Sequence, residues 1–258
     1  MRTYTLGSLF SGIGGIELGL ESTGRFETVW QAEVDPFCRA VLRKNWKNCK
    51  IYEDVKDVKT ENEVKRVDVV CGGFPCQDLS LAREGSGRGK GKGLDGSKSG
   101  LYREFVRVIK ELSPVGFVIE NVPTLVNRGL ETILGEVAEL GYDAEWHIVS
   151  AASVGGHHLR KRVFIMGYAN GSHPQGGGVS SGTHEEHKDL DCVSDWGPDK
   201  TWPPEPRVAR VVDGVPDWSH RAKALGNAVV PKVAGVVGKR LVEIIDKIPV
   251  KPVDRNNV

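Results

Sequence analysis

A chain of 258 residues is long enough to bury a full hydrophobic core in one domain with a small appendage. Its 35 Lys and Arg nearly balance 34 Asp and Glu, for a formal net charge of +1, so any nucleic-acid-binding surface must be local. The five cysteines are scattered, and neither a signal peptide nor an apolar stretch of about 18 residues is present, which excludes membrane-spanning and disulfide-stapled secreted classes. We therefore expect a soluble, reduced, cytoplasmic protein with free thiols.

Apolar segments typical of β-strands recur through the first two-thirds of the chain, at 3–9, 28–32, 50–52, 67–71, 115–120, 144–149 and 162–168. Amphipathic helical segments follow the first two, at 14–22 and 35–45, and apolar residues at helical spacing predict a further helix at 231–245. This alternation predicts an α/β fold, a doubly wound and mostly parallel sheet with helices on both faces.

Two stretches break this alternation. Residues 84–100 are rich in Gly, Ser, Lys and Arg without apolar periodicity, which is typical of a surface linker or of a lid over a site. Residues 169–200 are rich in Gly, Ser, His and Asp and predict a loop or a very small module. Within them, the His-Glu-Glu-His run at 184–187 lacks the spacing of a metalloprotease helix, so we expect no metal site.

The tripeptide Pro75-Cys76-Gln77 is the most informative motif of the chain. It follows an apolar strand and a Gly72-Gly73 pair, and open α/β sheets place reactive groups at such strand ends. A cysteine near a helix N-terminus at this position can have a lowered thiol pKa and act as a nucleophile. Taken alone, the motif fits a buried structural cysteine equally well.

The first strand leads into a glycine-rich turn at 10–17, which lets a ligand approach the backbone closely. A dinucleotide fingerprint needs glycine where Glu17 stands, so that motif fails. Acidic residues follow the second and third strands, at Glu33, Asp35 and Asp54, where a carboxylate can bind ribose hydroxyls. The pattern favours a nucleoside cofactor such as S-adenosylmethionine, and the alternative is a sheet with ordinary surface acids.

Taken together, these motifs resemble those of the DNA (cytosine-5)-methyltransferases. The match is ordered along the chain and comprises 10–15 (Phe-Ser-Gly-Ile-Gly-Gly), Glu33, Asp54, 73–77 (Gly-Phe-Pro-Cys-Gln), 120–122 (Glu-Asn-Val), 160–162 (Arg-Lys-Arg) and 226–229 (Gly-Asn-Ala-Val). The resemblance implies the Rossmann-like fold of S-adenosylmethionine-dependent methyltransferases with a reduced target-recognition segment. It divides the chain into a catalytic and cofactor-binding domain at 1–168, a recognition segment at 169–222 and a returning helix at 223–248.

The resemblance also implies the reaction, in which a thiolate adds to C6 of a flipped cytosine and C5 then takes the methyl group. Cys76 stands at the nucleophile's position, and Glu120 at that of the group that protonates N3. Glu120 ends an apolar strand, so we expect partial burial to raise its pKa; an N-cap role is the alternative. Arg160 and Arg162 match the arginines that hold the base and a phosphate, although the triplet is also compatible with a solvated strand edge.

For the cofactor, the resemblance assigns the methionine end to the glycine-rich turn, the ribose to Glu33 and the adenine amino group to Asp54. The implied cofactor-binding set is Phe10, Ser11, Gly12, Gly14, Glu33, Asp54, Pro75, Leu101, Asn227 and Val229. Asn227 has an ordinary alternative, because a Leu-Gly-Asn turn before a helix is commonly a cap.

The implied partner is double-stranded DNA, bound by a monomer that a cognate restriction endonuclease could accompany. We expect the DNA-binding residues to be Arg83, Arg88, Lys90 and Lys92 in a loop that closes over the flipped base, with Arg207 and Arg210 in the recognition segment. Two features depart from the family pattern: His157-His158 stands where Pro-Gln is usual, and only about 57 residues separate Tyr168 from Gly226. An RNA cytosine-5 methyltransferase, or a non-catalytic DNA-binding module on the same fold, remains an alternative.

Overall fold

The structure is a computed structural model that describes residues 1–62, 64–75, 101–169 and 218–248. The strands within these ranges are β1 (Tyr4–Leu9), β2 (Phe26–Ala32), β3 (Lys50–Tyr52), β4 (Val69–Gly72), β5 (Gly116–Asn121), β6 (Tyr142–Ser150) and β7 (Lys161–Ala169). The α-helices are α1 (Gly15–Glu21), α2 (Pro36–Asn45), α3 (Leu101–Leu112), α4 (Leu130–Glu139), α5 (Trp218–Asn227) and α6 (Pro231–Ile245). The strand ends differ from the predicted ones by no more than two residues.

The strands form one sheet in the order β3-β2-β1-β4-β5-β7-β6. The first five strands of that order pair in parallel, whereas β7 runs antiparallel to both β5 and β6. The prediction of a mostly parallel, doubly wound sheet is therefore confirmed. The apolar pattern did not indicate the antiparallel direction of β7, and that direction matters for the site.

Hydrophobic clusters cover both faces of the sheet. One face packs against apolar side chains of α3 and α4, such as Phe105 and Ile133, and the other against α1 and α6, such as Leu20 and Leu241. Helices α1 and α6 approach closely, since a Cβ at Gly19 would lie 2.2 Å from the carbonyl oxygen of Pro231. This packing fixes the start of α1, and with it the glycine-rich turn, against the C-terminal helix.

An ion pair ties α6 to the edge of the sheet. Arg240 Nε lies 2.8 Å from Glu145 Oε1 on β6, and Arg240 Nη2 lies 3.0 Å from Oε2. Burial alone would raise the pKa of Glu145, but the neighbouring His147 and the hydrogen-bonded Arg240 outweigh it and lower that pKa to about 2. Among the helices that the structure describes, none is long and apolar enough to cross a membrane.

Candidate active site

The carboxyl ends of the parallel strands meet at one edge of the sheet. Leu9 pairs with Ala32 and with Gly72, and Gly72 pairs with Ile119, so these strands end at the same level. The residues that follow them therefore lie along one edge, as open α/β sheets require of a ligand site. The predicted residues at this edge are Phe10 after β1, Glu33 after β2, Gly73 after β4 and Glu120 near the end of β5.

The antiparallel direction of β7 brings the arginine motif to the same edge. Asn121 at the end of β5 pairs with Val163, and Glu120 pairs with Phe164, so β7 begins where β5 ends. Arg162 Nε consequently lies 2.9 Å from Glu120 Oε1. The contact is an ion pair rather than an aligned hydrogen bond, because Glu120 Oε1 has no hydrogen-bond partner among the residues described. A parallel β7 would have carried these arginines to the opposite edge.

Glu120 is buried, with 9% of its surface exposed. Burial raises the pKa of its carboxyl to about 7, although the charges of Arg162 and Arg160 act in the other direction. The expectation of a raised pKa is confirmed. Glu120 lies inside β5 and is not a helix cap, since Val122 caps the following 3₁₀ turn, so the N-cap alternative is wrong.

Gly73 leaves the space that the Glu120 carboxyl occupies. A Cβ at position 73 would lie 2.6 Å from Glu120 Oε2, so no larger residue fits there without displacing the carboxyl. The segment after Gly73 is held in turn by Asn121, whose Nδ2 donates to the carbonyl oxygen of Phe74 at 3.2 Å. The Phe74 ring packs against Tyr102 at a centroid distance of 5.3 Å. These contacts fix half-buried Pro75, the last described residue before Cys76.

The guanidinium of Arg160 has two buried nitrogen donors. Its Nε and Nη2 have no hydrogen-bond partner in the part of the chain that the structure describes. Burial, followed by the charge of Arg162, lowers the pKa of Arg160. A shallow surface depression lies beside them between β7 and the start of α6, lined by Arg160, Arg162, Phe164, Val229, Val230 and Val233. An anionic or carbonyl-bearing ligand would satisfy these donors, which favours the functional interpretation over a solvated strand edge.

The glycine-rich turn has the backbone of a ligand-binding loop. Phe10, Gly12 and Gly14 all have positive φ, at 55°, 57° and 87°, a region that costs Phe10 strain and that glycine adopts freely. A Cβ at Gly12 would meet nothing within 4 Å, so the backbone there faces open space. Ser11 is buried, with its hydroxyl donating to Ser8 Oγ at 2.9 Å.

The carboxylate of Glu33 lies against this turn. Its Oε2 accepts from the Gly12 N–H at 2.7 Å, and its Oε1 accepts from the Asp35 N–H at 2.8 Å. Each oxygen keeps a second lone pair for a hydroxyl donor. Asp35 is occupied differently, because its side chain caps α2 by accepting from Phe37 N at 2.9 Å. Asp54 caps a 3₁₀ turn through Lys56 N at 2.9 Å and remains partly exposed.

The C-terminal motif returns to the turn as predicted. A Cβ at Gly15 would lie 2.5 Å from the carbonyl oxygen of Val229, so the two segments touch through backbone. Asn227 is exposed and ends α5, and the N-cap of α6 is Val230, so the cap alternative for Asn227 is wrong. Phe10 and Leu101 are both partly buried against the same hydrophobic cluster.

Helix α5 also contacts the start of α2, next to the acids at the end of β2. Lys223 Nζ lies 3.8 Å from Asp35 Oδ2, and His220 stacks edge-on against Phe37 at 6.1 Å between ring centroids. The predicted boundary between recognition segment and returning helix, at 222/223, falls inside α5.

Several predicted residues lie outside the described ranges, namely Cys76, Arg83, Arg88, Lys90, Lys92, Arg207 and Arg210. His157 and His158, which replace the family's Pro-Gln, are exposed just before Arg160. Across 1–62, 64–75, 101–169 and 218–248 the structure has no group of three or more His, Cys, Asp or Glu suited to a metal ion.

Two residues with roles at this edge were not predicted. Asn121 belongs to the Glu-Asn-Val motif, but only the fold shows that its amide holds Phe74. Glu17 entered the sequence argument as a failed glycine position, yet it is fully buried beneath the turn. The available signal was its place on α1 beside Ile16 and Leu20, on the apolar arc of the helix.

Comparisons with known proteins agree with this geometry. The family model of the C-5 cytosine-specific DNA methylases matches residues 4–204. The Type II methyltransferase M2.BsuMI of Bacillus subtilis (strain 168) is 40% identical over 167 residues, covering 62% of this chain and 40% of that protein. M.Bsp6I of Bacillus sp. (strain RFL6) is 37% identical over 174 residues, covering 65% and 53%. The chain thus spans about half the length of the curated relatives it matches.

Solved structures show the same fold. A putative DNA modification methyltransferase encoded within an E. coli prophage superposes with a TM-score of 0.52 at 25% identity, covering 65% of this chain and 47% of that chain. The Entamoeba histolytica methyltransferase EhMeth superposes with a TM-score of 0.55 at 18% identity, covering 65% and 53%. At the second identity the likeness is one of fold alone.

Proposed function

This chain belongs to the C-5 cytosine-specific DNA methylase family, and we propose that it transfers a methyl group from S-adenosylmethionine to C5 of cytosine in double-stranded DNA. The observation that carries the proposal is the buried Glu120, whose pKa of about 7 leaves it able to donate a proton near neutral pH. Glu120 lies on β5, three residues after Phe117, and contacts Arg162. This end of β5 faces the segment that leads to Cys76. A carboxylic acid at this site suits the activation of a cytosine ring.

The chemistry assigns one bond change to each group. The thiolate of Cys76 adds to C6, and Glu120 gives its proton to N3, so the electron pair is directed to C5. C5 would then take the methyl group that S-adenosylmethionine supplies when bound, with S-adenosylhomocysteine as the other product. Loss of the C5 proton to a base expels the thiolate, and N3 returns its proton to Glu120. The guanidinium donors of Arg160 would hold the base or its phosphate in place.

The residues around the glycine-rich turn fit S-adenosylmethionine, which supplies an electrophilic methyl group when it is bound. Open space at Gly12 lets a ligand reach the backbone, and the adjacent Glu33 carboxylate keeps lone pairs for two ribose hydroxyls. Ser11 and Gly14 would lie at the methionine end, and Asp54 would accept from the adenine amino group through Oδ2. Leu101, Asn227 and Val229 would close the pocket, and Pro75 would border it from the side of the nucleophile.

The target base must leave the duplex, because the ring face of a stacked cytosine is inaccessible to a thiolate. We propose that residues 83–98 close over the flipped base and that 169–222 reads its neighbours. Relatives named as Type II methyltransferases support a role in a bacterial restriction-modification system. We further propose that the chain acts as a monomer in the cytoplasm beside a cognate endonuclease.

Covalent trapping tests the proposal directly. Duplex DNA that carries 5-fluorocytosine at the target should form a stable adduct with the wild-type chain only when S-adenosylmethionine is present, because the fluorine cannot leave as a proton does. Cys76→Ser should form none, and the matched Cys49→Ser variant should form the adduct normally. An adduct in Cys76→Ser would refute the assignment of the nucleophile.

The same assay with RNA addresses the main rival. If a 5-fluorocytosine RNA is trapped and the duplex DNA is not, the substrate is RNA. If neither is trapped while the DNA still binds, the chain is a binding module and the catalytic proposal fails.

A further inference from the structure

A buried polar cluster lies directly beneath the glycine-rich turn, and the residue at its centre has no assigned role. At its centre is Glu17 on α1, with none of its surface exposed. Around it stand Ser8 at the end of β1, Ser11 in the turn, Gln31 on β2 and Cys71 on β4, and Ser8, Gln31 and Cys71 are also fully buried. Burying a carboxyl costs free energy unless its oxygens are hydrogen-bonded, so a fully buried glutamate at this position requires an explanation.

The polar contacts of the cluster run from the turn to the carboxyl. Ser11 Oγ donates to Ser8 Oγ at 2.9 Å, and both hydroxyls lie close enough to the carboxyl of Glu17 to act on its pKa. Gln31 Nε2 reaches Glu17 Oε1 from the neighbouring strand at 3.1 Å. Glu17 therefore accepts from β2 and lies against the Ser8–Ser11 hydroxyl pair of β1 and the turn. Removing the carboxyl changes the polar surroundings of both hydroxyls, and with them the orientation of Ser11.

We propose that Glu17 is a positioning residue for the cofactor, which holds the Ser8–Ser11 hydroxyl pair and thereby the shape of the turn that receives the methionine end. This inference rests on the proposed function, since it takes S-adenosylmethionine as the ligand of the turn. Glu17 does not touch the cofactor itself. Its effect passes through Ser11, whose backbone is continuous with the open position at Gly12.

Burial favours the neutral form of the carboxyl. Burial raises the pKa of Glu17, and the groups that act against it, from Ser8, Ser11, Gln31 and its own backbone N–H, are all uncharged. Burial also raises the pKa of the Cys71 thiol on the adjacent strand, which favours the uncharged form of both groups.

The neutral form gives a sharp test, because glutamine reproduces it. Glu17→Gln keeps the accepting carbonyl and the shape of the side chain, so S-adenosylmethionine affinity by calorimetry should stay within about twofold of wild type. Glu17→Leu removes the acceptor and should weaken binding about tenfold, the loss that one buried hydrogen bond predicts. Glu27→Leu, at an exposed glutamate of β2, is the matched control and should bind like wild type.

A second variant with a smaller change keeps the inference testable if Glu17→Leu does not fold. Ser8→Ala removes the hydroxyl that accepts from Ser11 and should also weaken cofactor binding severalfold. The double variant with Glu17→Leu should bind little more weakly than Glu17→Leu alone. Unchanged affinity in Ser8→Ala, or in a folded Glu17→Leu, overturns the inference while the cofactor assignment stands. No binding by the wild-type chain overturns both.

Infrared spectroscopy tests the protonation state without any cofactor. The difference spectrum between wild type and Glu17→Gln at neutral pH should contain the carbonyl band of a protonated carboxylic acid. A carboxylate band in its place would contradict the neutral cluster. A positioning role also predicts that the glutamine variant rescues the affinity that leucine loses, which a general loss of packing would not.

Discussion

Replacing Glu120 by Gln separates the burial of this carboxyl from its chemistry. The folded-state pKa of about 7 lies well above the ordinary value of 4.5, so the native state binds more protons than the unfolded state between these pH values. The unfolding free energy should therefore be highest below about pH 4.5, as far as this group is concerned, and fall as pH rises through 7. The shift corresponds to about 3 kcal/mol, from 1.36 kcal/mol per pKa unit.

Glu120→Gln cannot ionise, so this part of the pH dependence should vanish. Urea denaturation at pH 5 and pH 8 measures most of it: the variant should gain on wild type by about 2.5 kcal/mol between the two. Glu139→Gln, at an exposed position of α4, should show the wild-type dependence. Parallel stability curves for wild type and Glu120→Gln would refute the claim that burial dominates at this site.

The catalytic proposal makes a second demand on the same variant. Glutamine can donate a hydrogen bond to N3 but cannot transfer a proton, so methyl transfer should fall by about 10²–10⁴-fold. Cofactor affinity should be unchanged, because Glu33 and the glycine-rich turn are untouched. Transfer at the wild-type rate would remove Glu120 from the reaction even if its stability behaves as expected.

Further predictions concern the cofactor, the fold and the target. Glu33→Ala should weaken S-adenosylmethionine binding roughly ten- to a hundredfold in calorimetry, since hydrogen bonds to a charged group contribute about 1.5–3 kcal/mol; unchanged affinity would exclude Glu33 from the pocket. Glu145 has a lowered pKa, so its ion pair stabilises the fold above its unfolded pKa and is lost as pH falls towards about 2. Glu145→Gln should cost about 1–2 kcal/mol at pH 7, after allowance for partial exposure, and nothing near pH 2 in denaturant titrations. Substituting Arg207 and Arg210 should shift or relax a short target of about two to five base pairs in methylation maps without affecting cofactor binding, because each bidentate base contact discriminates by only about 1–3 kcal/mol; an unchanged site would place recognition elsewhere.

Sequence reasoning located the strands and the site because both depend on local patterns. Apolar runs followed by Gly, Glu or Asp predicted the strand ends that carry Phe10, Glu33 and Gly73. The direction of β7 depends on tertiary pairing, so the contact between Glu120 and Arg162 could not be derived from spacing. The roles assigned to these residues remain predictions.

The buried polar residues were the hardest to predict. Glutamate is usually exposed, yet Glu17 lies on the apolar arc of α1. Its burial becomes acceptable only through its neighbours on β1 and β2 in the folded chain. Trp46 is a second case. A Cβ at Gly14 would lie 2.3 Å from the Trp46 ring, and the indole N–H donates to Glu21. Trp46 therefore supports the turn, although it lies outside the motif. Such support comes from packing between distant segments and leaves no periodic signal.

The most direct test of the central claim is bisulfite sequencing of DNA from cells that express the wild-type chain or Cys76→Ser. The proposed function predicts cytosines protected from conversion at one short recurring sequence in the wild type, and complete conversion of the same sites in the variant. Complete conversion with the wild-type chain, despite folded protein and bound cofactor, would contradict DNA cytosine methylation. Equal protection by Cys76→Ser would contradict the covalent route.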